Sequence, residues 1–290
     1  MAPFNFDGYN GRVRPATALV VALGAVLVLA ASAEAAQKPH TERAQSGDVA
    51  AVFSYTYDRA KFRFGGQRLT IKRLGETRFS ARLRKPPLGG FNAQPARYFE
   101  HRPSVSISDL DGDGEPEVVL DLYWGGAHCC WYTQVYRYVG GRAGYRTNVH
   151  VWGNFGYVLA DLEHDGRQEL VTRDNRFSYA FSSFADSRWP VRILRYRNGG
   201  MTVVTSQYAS EIRRDAMALW HEALGRNKTR SNQGVIAAWA ADQCMLGRCT
   251  QAFTTIDRLS RTVRIHGERT RVAYERRLRA FLARTGYRQP

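Results

Sequence analysis

Acidic residues and lysine are scarce in this chain of 290 residues. It holds 26 Asp and Glu against 42 Lys and Arg, 37 of which are Arg, and its formal net charge is +16. The arginines are scattered along the chain and form no basic block, which argues against a groove for nucleic acid. We expect no nucleic-acid partner. The alternative partner for this basic chain is an anionic glycan or wall polymer, which the positive charge would attract at long range.

Two well-known hydrolase motifs are absent. The sequence contains neither G-x-S-x-G nor H-E-x-x-H, so neither a serine-hydrolase elbow nor a zinc-protease helix is indicated. His128 precedes Cys129, but neighbouring side chains on a strand point to opposite faces. A glycosidase carboxylate pair leaves no local pattern. We therefore expect a protein that is not an enzyme, and keep an extracellular hydrolase as an alternative.

Long apolar runs are also absent beyond the N-terminal segment. There, Arg12 and Arg14 precede an apolar stretch at 17–30, and an A-x-A pattern follows at 33–35. This order is typical of a secretory signal peptide. We expect residues 1–35 to be removed, so that the mature chain would be secreted or lie elsewhere outside the cytoplasm, such as in the cell envelope.

An uncleaved anchor is the alternative, because residues 16–33 are close to the shortest length that spans a membrane. No cysteine lies near the predicted cleavage point, which argues against a lipid anchor. After cleavage we expect no membrane span. The sequence does not indicate an oligomeric state.

Only four cysteines are present: Cys129, Cys130, Cys244 and Cys249. An even number in an exported chain favours disulfides over reactive thiols. Cys244 and Cys249 flank a turn at Gly247, so we expect them to pair with each other. Pairing of either one with Cys129 or Cys130 stays open.

The composition changes near residue 207. Upstream, Tyr, Phe, Val and Thr alternate with polar residues and are interrupted by glycine pairs, whereas Ala, Leu, Arg and Glu dominate downstream. The first pattern is typical of strands and the second of helices. We predict an α+β fold with an antiparallel β domain at 36–206 and a small helical region at 207–290. Its helices should end near Gly225 and Gly247, and a last helix should cover about 268–285.

A short acidic repeat stands out against the basic background. The stretch DLDGDGEPE at 109–117 recurs 52 residues later as DLEHDGRQE, and both read D-x-acid-x-D-G-x-x-E. Side chains at positions 1, 3, 5 and 9 and the carbonyl at position 7 can surround a hard cation, with Gly at position 6 for the turn. Oxygen ligands without His or Cys favour calcium. The predicted ligands are Asp109, Asp111, Asp113, Glu115 and Glu117 in the first loop, and Asp161, Glu163, Asp165, Arg167 and Glu169 in the second.

These loops lie between predicted strands and lack the Glu that an EF-hand has at position 12. They resemble the calcium loops of FG-GAP/VCBS repeats, which occur in integrin-α propellers and in exported bacterial proteins. The second loop departs from the pattern at Glu163 and His164. The resemblance covers about 100–206 and implies a calcium-binding domain of β repeats. With two repeats, we expect a partial propeller or a sandwich-like domain whose edges the helical region covers.

An aromatic-rich segment follows each acidic loop at equivalent places. Because aromatic side chains offer broad apolar faces, we consider a sugar-binding surface. The ligand-contact candidates are Trp124, Trp131, Tyr132, Phe184 and Trp189. Burial in the core is the alternative for all of them. Together these features predict an exported calcium-binding protein that acts as a binding or adhesion module for a glycan or wall polymer, with a structural envelope protein as the alternative.

Overall fold

Three antiparallel sheets and a set of helices make up the described part of the protein. The computed structural model describes residues 39–89, 92–100, 102–225, 231–262 and 271–287, so the predicted signal peptide lies outside the described residues. Strands dominate up to Val203 and helices follow from Ala209. The predicted α+β class is confirmed.

The first sheet is a four-stranded meander in which each strand pairs with the next. Its strands are β1 (His40–Ser46), β2 (Val49–Asp58), β3 (Arg63–Arg73) and β4 (Glu76–Arg82). Strand β2 alternates between buried and half-buried positions, because every second residue faces the core.

The second sheet is also a meander, but its first strand is interrupted. The elements are β5 (Gln94–Pro95), the short helix α1 (Arg97–Glu100), β6 (Val105–Ser108), β7 (Glu117–Tyr123), β8 (Trp131–Gly140) and β9 (Gly144–Gly153). Strand β8 takes one edge of β7, so β5 and β6 share the other.

The third sheet repeats this plan with β10 (Val158–Ala160), β11 (Glu169–Arg173), β12 (Val191–Arg197) and β13 (Gly200–Val203). The first acidic loop joins β6 to β7, and the second joins β10 to β11. Both loops therefore connect the first and second strands of a sheet.

Strand β7 is buried on both faces, since the sheets on either side pack against it. Val118, Leu120 and Leu122 belong to a core shared with the first sheet. Val119 points the other way, into a core shared with the third sheet. A strand between two apolar layers needs apolar residues at consecutive positions, which explains the run VVL in its sequence.

Four long helices follow the third sheet: α2 (Ala209–Gly225), α3 (Gln233–Met245), α4 (Cys249–Thr262) and α5 (Arg271–Arg284). Ile212 of α2 packs with Val191 and Ile193 of the third sheet. Helix α3 is buried along most of its length among the other helices and the segment after β11. None of the helices in the described part combines the length and hydropathy of a membrane span.

Both cysteine pairs are local. A disulfide joins Cys244 at the end of α3 to Cys249 at the start of α4, and Gly247 makes the turn between them with φ +74°. Cys129 pairs with its neighbour Cys130 just before β8. Neither pair links the helical region to the sheets.

Candidate metal centre

The first acidic loop is organised by Asp109, the residue that follows β6. Its carboxylate accepts hydrogen bonds from the N–H groups of Gly112 (2.8 Å), Asp113 (3.2 Å) and Gly114 (3.0 Å). Gly112 and Gly114 have φ of +71° and +87°, a region that glycine enters without strain. The turn therefore follows from one carboxylate at its start and glycine at its bends.

Three carboxylates converge inside this loop. Asp109, Asp111 and Glu117 each place an oxygen within 4.8 Å of the other two. Glu117 is fully buried, and its Oε2 accepts a hydrogen bond from the Leu110 N–H at 3.0 Å. Its Oε1 and the buried Oδ1 of Asp111 have no hydrogen-bond partner. Buried oxygens without partners are rare in proteins, and an ion is one of the few groups that satisfy them.

The protein supplies this cluster with little positive charge. Burial, opposed by the Leu110 N–H, raises the pKa of Glu117 to about 8. Burial, followed by the charge of Asp113, also raises the pKa of Asp111. Arg137 on β8 lies 3.9 Å from Asp111 and 3.3 Å from Asp113. Neither contact involves Glu117, whose Oε1 is left without a hydrogen-bond partner.

The other two predicted acidic residues of the loop have separate partners. Asp113 accepts a hydrogen bond from the Glu115 N–H at 2.8 Å. The Glu115 carboxylate forms an ion pair with Arg73 of β3, with Nη2 and Oε2 2.7 Å apart. The Glu115 side chain thus ties the loop to the first sheet, which leaves only its carbonyl for the predicted ligand role.

The second acidic loop has the same backbone design. Asp161 accepts hydrogen bonds from the N–H groups of Asp165 (3.1 Å) and Gly166 (3.0 Å). Glu169 accepts one from Leu162 at 3.1 Å, as Glu117 does from Leu110. The sequence repeat is therefore also a repeat of local structure.

The buried end of the second loop differs, because an arginine reaches it. Arg195 of β12 pairs with Glu169 across the sheet, and its Nε lies 3.1 Å from Glu169 Oε1. Its Nη2 lies 3.1 Å from Glu163 Oε2. The guanidinium already neutralises the carboxylates that a cation would need, so calcium does not fit the second loop as it fits the first.

Convergence is thus limited to the first loop. Within the described residues, the three carboxylates of that loop form the one group with metal-binding spacing. The predicted second set of Asp161, Glu163, Asp165, Arg167 and Glu169 does not converge in this way. The Arg167 side chain instead lies over Gly112, where a Cβ would come within 2.7 Å of its Cγ. The two loops are therefore in contact.

The five aromatic candidates do not share one surface. Tyr132 is 1% exposed in the core between the first and second sheets, so it is not available to a ligand. Trp131 and Phe184 line a cavity of about 510 Å³ beside His128. Trp124 lines another cavity, and Trp189 packs against the helical core. On β8 the cause is simple, because Trp131 and Tyr132 are adjacent and face opposite sides.

The arginines whose guanidinium groups contact the loop carboxylates were not predicted as site residues, whereas Arg167 was predicted only for its carbonyl. Arg137 and Arg195 occupy matching places in the two repeats, each followed by a tyrosine. That recurrence is the only signal in the sequence, and it does not reveal which guanidinium reaches the buried glutamate. Side-chain reach depends on the packing of three strands.

Comparison with known proteins places the recognisable similarity partly in the helical region. A family model described as the sll0997 C-terminal domain matches residues 212–286. A probable thylakoid lumen protein of Synechocystis sp. is 30% identical over 159 residues, which cover 52% of this chain and 46% of that protein. The uncharacterized protein y4bJ of Sinorhizobium fredii is 29% identical over 144 residues, which cover 49% of this chain and 23% of that protein.

The matches span less than half the length of each of these two relatives. A solved structure of a Xanthomonas type IV secretion system related protein aligns with 59% of this chain and 94% of that chain at 14% identity. Its TM-score of 0.17 is too low to indicate a shared fold.

Proposed function

We propose that this chain is an extracytoplasmic calcium-binding β protein whose first acidic loop takes one calcium ion. The observation that carries the proposal is the pair of buried, unpartnered oxygens, Asp111 Oδ1 and Glu117 Oε1, within the three-carboxylate cluster. Asp109, Asp111 and Glu117 would hold the ion, together with the carbonyl of Glu115. Calcium would bring positive charge to Glu117, whose Oε1 has no hydrogen-bond partner.

The donor set favours calcium over other metals. All the available ligand atoms are oxygens, which suits calcium or magnesium better than zinc or copper. Magnesium keeps several waters and requires near-octahedral geometry. A loop that offers several carboxylates and a carbonyl suits the larger ion.

The position of the loop indicates a stabilising role. It leads into β7, the strand buried between the first and third sheets. An ion that binds only the folded chain stabilises it by RT ln(1 + [L]/Kd), about 2.7 kcal/mol at 100 times the dissociation constant. Calcium would therefore hold the centre of the β domain in place.

Two observations support a location outside the cytoplasm. The matching Synechocystis protein is named as a probable thylakoid lumen protein, which is an extracytoplasmic compartment. All four cysteines are paired in disulfides, which persist in oxidising compartments. We propose that the protein acts there as a binding module without catalytic activity, with an anionic glycan or wall polymer as the ligand class.

Thermal melting tests the calcium proposal. The wild-type chain should melt at a higher temperature in calcium than in EDTA, and magnesium at equal concentration should be a poor replacement. Asp109→Ala should remove most of the calcium response, because this carboxylate also organises the turn. Identical wild-type curves in EDTA and in saturating calcium would refute the proposal.

A further inference from the structure

A cavity of about 430 Å³ lies between the second and third sheets, and no residue of the acidic loops lines it. Its walls come from β9, the end of β11, the segment after β11, β12 and the segment between β7 and β8. We call it the arginine cavity. The residues that matter for its chemistry are Trp124, His150, Trp152, Arg173, Arg176 and Arg192. Its volume falls within the range of small-molecule sites.

Positive charge is in excess in this cavity. Three arginines line it, and the side chains of Arg173, Arg176 and Arg192 are 43%, 44% and 29% exposed. Two carboxylates compensate them: Asp174 contacts Arg176 and Arg192, and Asp215 contacts Arg173. One positive charge therefore remains.

Asp174 positions the guanidinium groups. It is fully buried and accepts hydrogen bonds from Arg176 Nε at 2.9 Å and from the Tyr287 hydroxyl at 2.8 Å. Burial, the largest single cause, would raise the pKa of Asp174, but the hydrogen bonds and charge of Arg176 together with the Tyr287 hydroxyl outweigh burial and lower it. The carboxylate is thus ionised and fixed, and it holds Arg176 in one orientation.

Arg192 has the most unused hydrogen-bonding capacity. Among the described residues, its guanidinium forms one hydrogen bond, of 3.5 Å from Nη1 to Asp174 Oδ1. A guanidinium has five N–H donors in a planar fork that matches a carboxylate. Arg192 can therefore bind an anionic group in the cavity without giving up a strong internal ion pair.

The remaining walls are uncharged and include three aromatic side chains. The ring centroids of His150 and Trp152 are 4.3 Å apart, and Trp124 contributes another wall. Burial, and next the charge of Arg192, lower the pKa of His150 to about 4, so its ring is neutral at physiological pH. The cavity thus combines flat apolar surface with one concentrated cationic group.

We propose that the arginine cavity binds a sugar carboxylate, with Arg192 holding the carboxylate group and the aromatic walls contacting the sugar ring. This inference rests on the proposed binding role and names its ligand class, a uronic acid. It does not depend on calcium, because the acidic loops do not line the cavity.

Calorimetric titration of the full chain in saturating calcium provides the test, with two matched disaccharides as probes. One joins glucuronic acid to glucose, and the other is cellobiose, which lacks the carboxylate. The wild type should bind the acidic disaccharide and not cellobiose. Arg192→Gln should weaken binding at least tenfold, a loss of about 1.4 kcal/mol. Arg197→Gln removes the same charge from an exposed position of β12 and should leave affinity unchanged.

Arg192→Lys is the control for a folding defect, because it keeps the positive charge that faces Asp174 but loses the planar fork. It should melt like the wild type and bind more weakly. Absence of binding by the wild type, equal binding of the two disaccharides, or wild-type affinity in Arg192→Gln would each overturn the proposal. Calcium-dependent melting without sugar binding would overturn the cavity proposal alone, and sugar binding without any calcium response would overturn only the calcium proposal.

Discussion

Two buried glutamates show how one loop design takes on two electrostatic states. Glu117 and Glu169 accept the same backbone hydrogen bond and are both buried. Arg195 reaches Glu169, whereas no side chain donates to Oε1 of Glu117. The two loops therefore differ at the buried glutamate, which an arginine contacts in the second loop and not in the first.

Asp242 of α3 is another buried carboxyl group. It is 1% exposed, and burial together with the adjacent Asp215 raises its pKa to about 10. Asp215 accepts a hydrogen bond from the Val191 N–H at 2.8 Å and contacts Arg173. Asp242 is thus protonated at neutral pH and can share its proton with Asp215.

This environment predicts the pH dependence of stability. The folded chain keeps a proton on Asp242, whereas the unfolded chain releases it above the ordinary pKa of 3.8. The stability that this proton gives the folded chain is fully present below pH 3.8 and is lost progressively as the pH rises to about 10. Asp242→Asn cannot titrate and keeps a donor for Asp215, so it should lose less stability than the wild type between about pH 5 and pH 9. Urea unfolding at several pH values measures this.

Asp48→Asn is the control for that series, because Asp48 is exposed in the turn between β1 and β2. Its pH dependence should match that of the wild type. An Asp242→Asn curve parallel to the wild-type curve would show that Asp242 is not protonated in the folded chain.

The acidic loops can be compared as elements by removing the internal cation of the second one. Arg195→Gln leaves the buried Glu169 uncompensated, which should cost about 3 kcal/mol in the absence of metal. The variant should also become more sensitive to calcium than the wild type, because the second loop then resembles the first. Melting with and without calcium measures both effects, with Arg197→Gln as the control. A calcium response no larger than that of the wild type would contradict the role assigned to Arg195.

The packing of α3 against the β domain depends on one glycine. A Cβ at Gly234 would lie 2.5 Å from Ser182 Oγ, 2.7 Å from the Asp186 carbonyl oxygen and 2.9 Å from Ser187 Cα. These atoms belong to the segment between β11 and β12. The first turn of α3 therefore approaches this segment more closely than any side chain permits.

Gly234→Ala should lower the free energy of unfolding by about 1–3 kcal/mol, since the helix or the segment must shift. Gly225→Ala is the matched control, because Gly225 ends α2 and no atom of the described residues lies within 4 Å of its Cβ position. That change should be neutral or slightly stabilising. Urea unfolding compares the two variants, and equal stabilities would show that α3 does not press against the segment.

For the molecule as a whole, local patterns predicted the order of elements. The change in composition near residue 207 falls between β13, which ends at Val203, and α2, which begins at Ala209. The predicted end of the first helix at Gly225 matches α2, and the last predicted helix, about 268–285, overlaps α5. The acidic loops lie between strands as their flanking residues indicated.

Long-range packing was not predictable from these patterns. The sequence shows that Trp131 and Tyr132 are aromatic, but only the stacking of three sheets places Tyr132 in one core and Trp131 in another. Likewise, the acidic repeat implied two equal calcium loops. Arg195 comes from a strand more than twenty residues later, and its reach toward Glu169 depends on the pairing of β11 with β12.

Counting bound calcium tests the central claim most directly. Equilibrium dialysis of the purified chain should give one calcium ion per molecule for the wild type, none for Asp109→Ala, and one for Asp161→Ala. The first variant removes a ligand of the three-carboxylate cluster, whereas the second alters the loop that Arg195 already neutralises. A wild-type chain that binds no calcium, or one that binds two ions and loses one of them in Asp161→Ala, would contradict this account.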